Sequence, residues 1–337
     1  YPKMARATRA HHILQALFRA EEYIPPYLLK EYGGYQNLVI GAKKTWGRIK
    51  REAVLKKPDI LLLSSEMFFG EDPGGEQETF FKLLLELSDD IQPILYVRDP
   101  ADLYLSQLQQ MSRNSSDVQK PAAKIVRVHL EHLEKVYGKK VQVRAFERDS
   151  LIDGDIVADF ATNFLAEYIN PSTLKSVRVN ESISAEAMEI SSWFRRVVWP
   201  DQDRAPFEKS RLLLTKIEKC EAEFATFNEP ILRDGLADQV RRASVDYIWL
   251  RNEYGVTFNS LNYDEIDGTP MPWRDEYKTI AGIIHIDWER YNQIVFSILS
   301  REMDIAKESS FRLGKYTFRV SNISKKISWA RDFLRRS

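Results

Sequence analysis

Arg98 and Ser106 are the two residues of this chain whose types and spacing could do chemistry together. They belong to the stretch Pro93-Ile94-Leu95-Tyr96-Val97-Arg98-Asp99-Pro100-Ala101-Asp102-Leu103-Tyr104-Leu105-Ser106, which reads as a buried strand running straight into a helix start. Pro100 suits the first helical position, where its missing N–H is one of the unpaired donors, and Asp99 suits the N-cap. Arg98 then sits at the carboxyl end of the strand. Ser106 follows Asp99 by seven residues, nearly two turns, so its hydroxyl returns to the face on which the helix began. A guanidinium fork and a hydroxyl could then meet one phosphate in the crevice where open α/β sheets bind ligands. The plainer reading is an ion pair from Arg98 to Asp99 or Asp102, with Ser106 bonded to the preceding turn.

The elements that must position these groups are set by periodicity. Apolar residues recur at helical spacing from Ala5 to Arg19, until Pro25-Pro26, and again from about Tyr35 to Lys56. Ile60-Leu61-Leu62-Leu63 is a continuous apolar run of strand length that ends at Ser64-Ser65-Glu66. Gly70 to Gly75 reads as a loop, Gln77 to Leu87 as a helix, and Ile94 to Val97 as the next strand. Helices are expected over Asp102 to Ser112 and Ala122 to Val136. Val141 to Phe146 alternates at strand period before a helix from about Asp155 to Glu167. This alternation predicts an α/β fold with a mainly parallel central sheet flanked by helices. From about Ala185 onward the patterns are helical, including Glu208 to Phe224 and Asp234 to Glu253, so a helical C-terminal portion is expected beside the sheet.

Composition narrows the classes. The 337 residues are 44% hydrophobic, ordinary for a folded protein, and Lys+Arg and Asp+Glu are equal at 49 each. No overall field therefore drives binding to nucleic acid, and any anion site must be local. Cys220 is the one cysteine, which excludes an intrachain disulfide framework and fits a reducing, cytoplasmic setting. No apolar run approaches the roughly 18 residues of a spanning helix.

With these motifs in view, the chain resembles the sulfotransferases that use 3'-phosphoadenosine 5'-phosphosulfate, in particular bacterial glycan sulfotransferases. The residues that carry the resemblance are Tyr96-Val97-Arg98-Asp99-Pro100 with Ser106, Ser64-Ser65-Glu66, and Val141 to Leu151 leading into Gly154 to Phe160. Val179 to Ser184 and Trp249 to Gly255 extend it more faintly. The resemblance implies a P-loop-like fold, with residues 1–170 as the donor-binding core, 171–310 as a helical portion bearing the acceptor cleft, and 311–337 as a basic tail. It implies that Arg98 and Ser106 hold the donor's 3'-phosphate and that Glu66 is the catalytic base. The acceptor would be a carbohydrate or another hydroxyl or amine, and no metal is needed. The family's lysine-bearing phosphosulfate loop has no counterpart here. Gly70 to Glu76 is glycine-rich but carries three carboxylates. Tyr1-Pro2 with His11-His12 resembles the segment just after that loop in related proteins, so the expectation is that the loop precedes Tyr1. Two other classes stay open: a non-catalytic nucleotide- or glycan-binding module of the same fold, and a kinase, for which Asp99 is the only obvious magnesium ligand near a strand end.

Other candidates carry less. His12, or His11 beside it, could accept a proton near this site, although adjacent residues on a helix point apart, so at most one of them faces it. His129 and His132 have i, i+3 spacing but lack a third metal ligand in view. Cys220 lies in a helical pattern without chemistry, and the tryptophans of the second half offer sugar-stacking surfaces among core aromatics. In residues 311–337 eight lysines and arginines face only Asp332, with apolar residues at helical spacing. That pattern fits a docked C-terminal helix, or peripheral contact with an anionic membrane.

Overall fold

The computed structural model describes residues 11–68, 75–122, 126–174, 182–200, 208–224 and 227–312. In chain order the elements are α1 (Pro26–Tyr32), α2 (Tyr35–Lys56), α3 (Glu76–Leu84), β1 (Ile94–Val97), α4 (Pro100–Ser112), α5 (Val126–Tyr137) and β2 (Gln142–Ala145). They continue with α6 (Ile156–Phe160), α7 (Ala185–Trp193), α8 (Glu208–Glu221), α9 (Leu236–Ala243), α10 (Asp246–Tyr254), α11 (Ile280–Ile283) and α12 (Trp288–Arg312). The basic tail beyond Arg312, the glycine-rich residues 70–74 and residues 179–181 of the 179–184 motif lie outside the described residues.

The expected α/β architecture is not what forms. The chain is mostly helical, and the only sheet among the described residues is the parallel pair β1 and β2, so there is no central sheet for helices to flank. The physical reason lies in Ile60-Leu61-Leu62-Leu63. A short apolar run is compatible with a buried strand or with any other buried segment. Here Leu61 and Leu63 are partly buried against helices, packing with Leu83 and Leu84 of α3 on the cluster that contains Leu38, Trp46 and Ile49 of α2. The run enters no ladder, and Ile60 remains 41% exposed.

Local signals set the pieces that do form. The pattern over Tyr35 to Lys56 becomes α2, which buries Leu38, Ala42, Thr45, Trp46 and Ile49 along one stripe. Pro100 opens α4 with Asp99 as its N-cap. The β strands register Tyr96 opposite Arg144 and Val97 opposite Ala145. The expected helix from Asp155 shortens to α6 and then widens into a turn of π-helix over Ala161–Leu165. The helical pattern from Asp234 to Glu253 divides at Ser244, whose backbone leaves helical angles between α9 and α10.

Three clusters make up the core. One joins the Ile13 to Leu17 turn with α1 and α2, one packs β1 and β2 between α5 and α10, and the largest gathers α4, α7, α8, α9, α11 and α12. In the last of these, α11 comes so close to the preceding turn that a Cβ on Gly282 would sit 1.7 Å from the Glu276 carbonyl oxygen. Only glycine fits there.

Candidate functional site

Arg98 is the first residue after β1, and its surroundings are assembled from four separate stretches of chain. Its carbonyl accepts a 2.7 Å hydrogen bond from the Tyr247 hydroxyl of α10, which pins the strand end. Phe146, the first residue after β2, places its ring centroid 4.5 Å from the Arg98 guanidinium carbon. Because Val97 and Ala145 are paired across the parallel strands, Phe146 and Arg98 leave the sheet side by side. Stacking on an aromatic face orients an arginine without occupying its donors. Among the described residues no carboxylate forms an ion pair with Arg98 and no acceptor hydrogen-bonds its guanidinium. Burial lowers its pKa from the usual arginine value, and the charges of Asp102 and Glu66 act the other way.

The neighbouring acids are accounted for differently. Asp99 is 1% exposed and fully engaged. Its Oδ1 accepts from the N–H groups of Ala101 and Asp102 at 2.8 and 3.1 Å, and its Oδ2 accepts from Arg241 Nε at 3.0 Å and Ser260 Oγ at 2.7 Å. A cap of this kind contributes about 0.5–2 kcal/mol to a helix. Glu147 accepts from the N–H groups of Asn259 and Ser260 and so fixes the loop that supplies Ser260. Asp102, one turn into α4, keeps solvent contact, yet its carboxyl is pushed above the usual range by burial first and by the Asp99 charge second. Ser106 lies one turn beyond Asp102 on the same face, half-buried.

Glu66 begins a short 3-10 turn at the end of the 60–65 segment and is exposed, with its charge felt at Arg98. That segment is clasped by the two histidines. The N–H of His11 donates to the Ser64 carbonyl at 2.8 Å, and the Ser64 N–H approaches His11 Nδ1 at 3.1 Å. His11 is buried, and burial holds its pKa below the ordinary histidine value, so it acts as a neutral clamp. His12 is half-exposed, and its Nδ1 lies 2.7 Å from Ser65 Oγ, next to Glu66 in sequence.

No family model matches the chain, and no curated protein or solved structure is significantly similar to it.

The candidate residues are therefore placed by geometry alone. Arg98 and Glu66 come within electrostatic reach of each other, His12 joins the Glu66 side through Ser65, and Ser106 lies along α4 from Arg98. Among the described residues no three His, Cys, Asp or Glu side chains gather as a metal cluster, His129 and His132 included. Cys220 is buried in α8 as packing. Phe146, Arg241 and Ser260 do not stand out in the sequence as site residues, and Asp102 stands out there only as an ion-pair partner for Arg98. The strand pattern from Val141 could have pointed to Phe146, because a parallel neighbour of β1 must end beside Arg98. Nothing local could have brought in Arg241 or Ser260.

Proposed function

We propose that this chain is a sulfotransferase that moves a sulfuryl group from 3'-phosphoadenosine 5'-phosphosulfate to a hydroxyl or amine, with a carbohydrate as the acceptor class. The observation that carries the reading is Arg98: a half-buried guanidinium at a strand end, oriented on Phe146, with its donors uncommitted among the described residues. That arrangement suits the 3'-phosphate of the nucleotide, and Ser106 supplies a hydroxyl donor on the adjoining helix face. The donor supplies an activated sulfuryl group and is a co-substrate, with no metal required. Glu66 is assigned as the base that takes the acceptor's proton, with His12 the second candidate through its place beside Ser65. The 5'-phosphosulfate half of the donor has no counterpart among the described residues, so the assignment concerns the 3'-phosphate half.

The kinase alternative loses support because Asp99 is committed to the α4 cap, Arg241 and Ser260. The reading includes a cytoplasmic location, no nucleic-acid partner and peripheral membrane contact through residues 311–337. No described helix is long and apolar enough to cross a membrane.

Titration with adenosine 3',5'-bisphosphate tests the assignment. Binding without magnesium is expected, and Arg98→Ala is expected to weaken it by about 1.5–3 kcal/mol, the scale of a lost charge-assisted hydrogen bond. A folded variant with unchanged affinity, or a clear preference for ATP with magnesium, would sink the proposal. Transfer of labelled sulfuryl to a glycan separates the enzyme from a binding module. Asp102→Asn supplies an opposite sign: removing a carboxylate beside Arg98 is expected to tighten bisphosphate binding about threefold at neutral pH. The same calorimetric titration checks it, and weaker binding by Asp102→Asn would contradict an anion at this position.

A further inference from the structure

Helix α2 buries one face and leaves the other uncovered. At 100° per residue, the face opposite Leu38, Ala42, Trp46 and Ile49 carries Ile40, Lys43, Lys44, Arg51, Val54 and Leu55. Val54 is 72% exposed and Leu55 75%, more than any other large hydrophobic among the described residues. Ile40, 51% exposed, continues the apolar component toward the helix start. Around these residues the charge is strongly one-sided. Between residues 43 and 57 seven lysines and arginines face Glu52 alone, in a chain whose net charge is zero. Lys56 pairs with Glu52 and Lys50 with Glu86, while Lys43, Lys44, Arg51 and Lys57 make no ion pair with a described residue. Asp59 is the nearest acid past the helix end.

We propose that the outward face of α2 is a docking surface for an anionic lipid bilayer, with Val54 and Leu55 entering the headgroup boundary at the helix's C-terminal end. Cations alone would suit any polyanion. Adjacent, nearly fully exposed Val54 and Leu55 inside a cationic field favour a surface that offers negative headgroups and an apolar interior together. An excess of positive charge complements the negative potential of such a membrane, and each basic residue near it strengthens binding roughly fivefold. The surface is built from α2 residues alone and includes neither Arg98 nor any residue of 311–337, so it stands or falls independently of the proposed reaction.

The test is co-sedimentation of the full chain with phosphatidylcholine vesicles, with and without phosphatidylserine. Binding is expected only with phosphatidylserine and should weaken with added salt. Val54→Asp with Leu55→Asp should weaken it more than roughly tenfold, leaving only what residues 311–337 contribute, and Lys43→Glu, Lys44→Glu and Arg51→Glu should each weaken it roughly fivefold. These side chains are outside the core, so melting temperatures and bisphosphate binding should match the parent. Absence of vesicle binding, or equal binding by the Asp variant, would overturn the proposal. So would binding of a soluble sulfated polysaccharide, without vesicle binding, that the Asp variant retains, because the face would then serve a polyanion.

Discussion

Asp159→Ala is expected to destabilise the chain by about 3 kcal/mol at neutral pH, the lower end of what removing one partner of a buried ion pair costs. Asp159 is inaccessible to solvent and comes from α6. It receives Arg144 Nε at 2.7 Å, Arg144 Nη2 at 2.8 Å, the Tyr96 hydroxyl at 2.7 Å and the Ile152 N–H at 3.2 Å. Tyr96 and Arg144 face each other across β1 and β2, so this one carboxylate ties α6 to both strands at a single register position. Arg144 keeps about a third of its side chain in water, which is why the lower figure applies. Burial alone would raise the Asp159 carboxyl, but the hydrogen bonds from Arg144, Tyr96 and the Ile152 N–H outweigh it and hold the value below 3.8. A carboxyl lowered by folding stabilises the native state above its unfolded value, and that contribution disappears as pH falls through the folded value. Urea unfolding should therefore show the variant and the parent far apart at pH 7 and converging in strong acid. Equal midpoints at pH 7 would refute this account of how α6 is held.

Where a signal is carried by residues close in sequence, the fold could be read from the chain. The Asp99-Pro100 start of α4, the stripe of α2 and the strand Ile94–Val97 all appear where spacing puts them. The size of the sheet could not be read, because Ile60-Leu61-Leu62-Leu63 has the same composition whether strands or helices bury it. The candidate site divides in the same way. Arg98 and Glu66 stand out through their positions at segment ends, and Ser106 through its helical spacing from Asp99. Arg241 and Ser260 reach Asp99 from 142 and 161 residues away, and no local pattern encodes such contacts. Helix α7 is the clearest failure of periodicity. Every residue from Ala185 to Ser192 is buried, although Glu186, Glu189, Ser191 and Ser192 would mark a solvent face in an amphipathic reading. Helices α4, α8, α11 and α12 surround it instead, so its acids must find partners inside the protein.

Those partners make Arg290→Leu the other large prediction, with an expected loss of about 3–5 kcal/mol at neutral pH. Arg290 is 8% exposed on α12, and its guanidinium carbon lies 4.7 Å from the Phe224 ring centroid. Its Nε is 3.3 Å from Glu186 Oε2, and its Nη2 donates to Glu221 Oε1 at 3.4 Å, so one cation holds α7 and α8 against α12. Glu186 is also bonded by Asn228 Nδ2 and the Asp287 N–H, which leucine would leave in place. Glu221 is more exposed to the loss. Burial already raises its carboxyl above 4.5, and only the Ser184 hydroxyl and Arg290 oppose that shift. Without Arg290 the value should rise further. A carboxyl whose folded value exceeds its unfolded one destabilises the native state when ionised, so the penalty applies above the folded value and fades as pH falls through it. Denaturant unfolding should therefore find the Arg290→Leu deficit larger at pH 8 than at pH 5. Glu186→Gln and Glu221→Gln added to Arg290→Leu should recover most of it by removing the unpaired charges. A deficit that is the same at both pH values and survives the glutamines would mean that Arg290 matters for its packing on Phe224, with its charge irrelevant to how α7 is held.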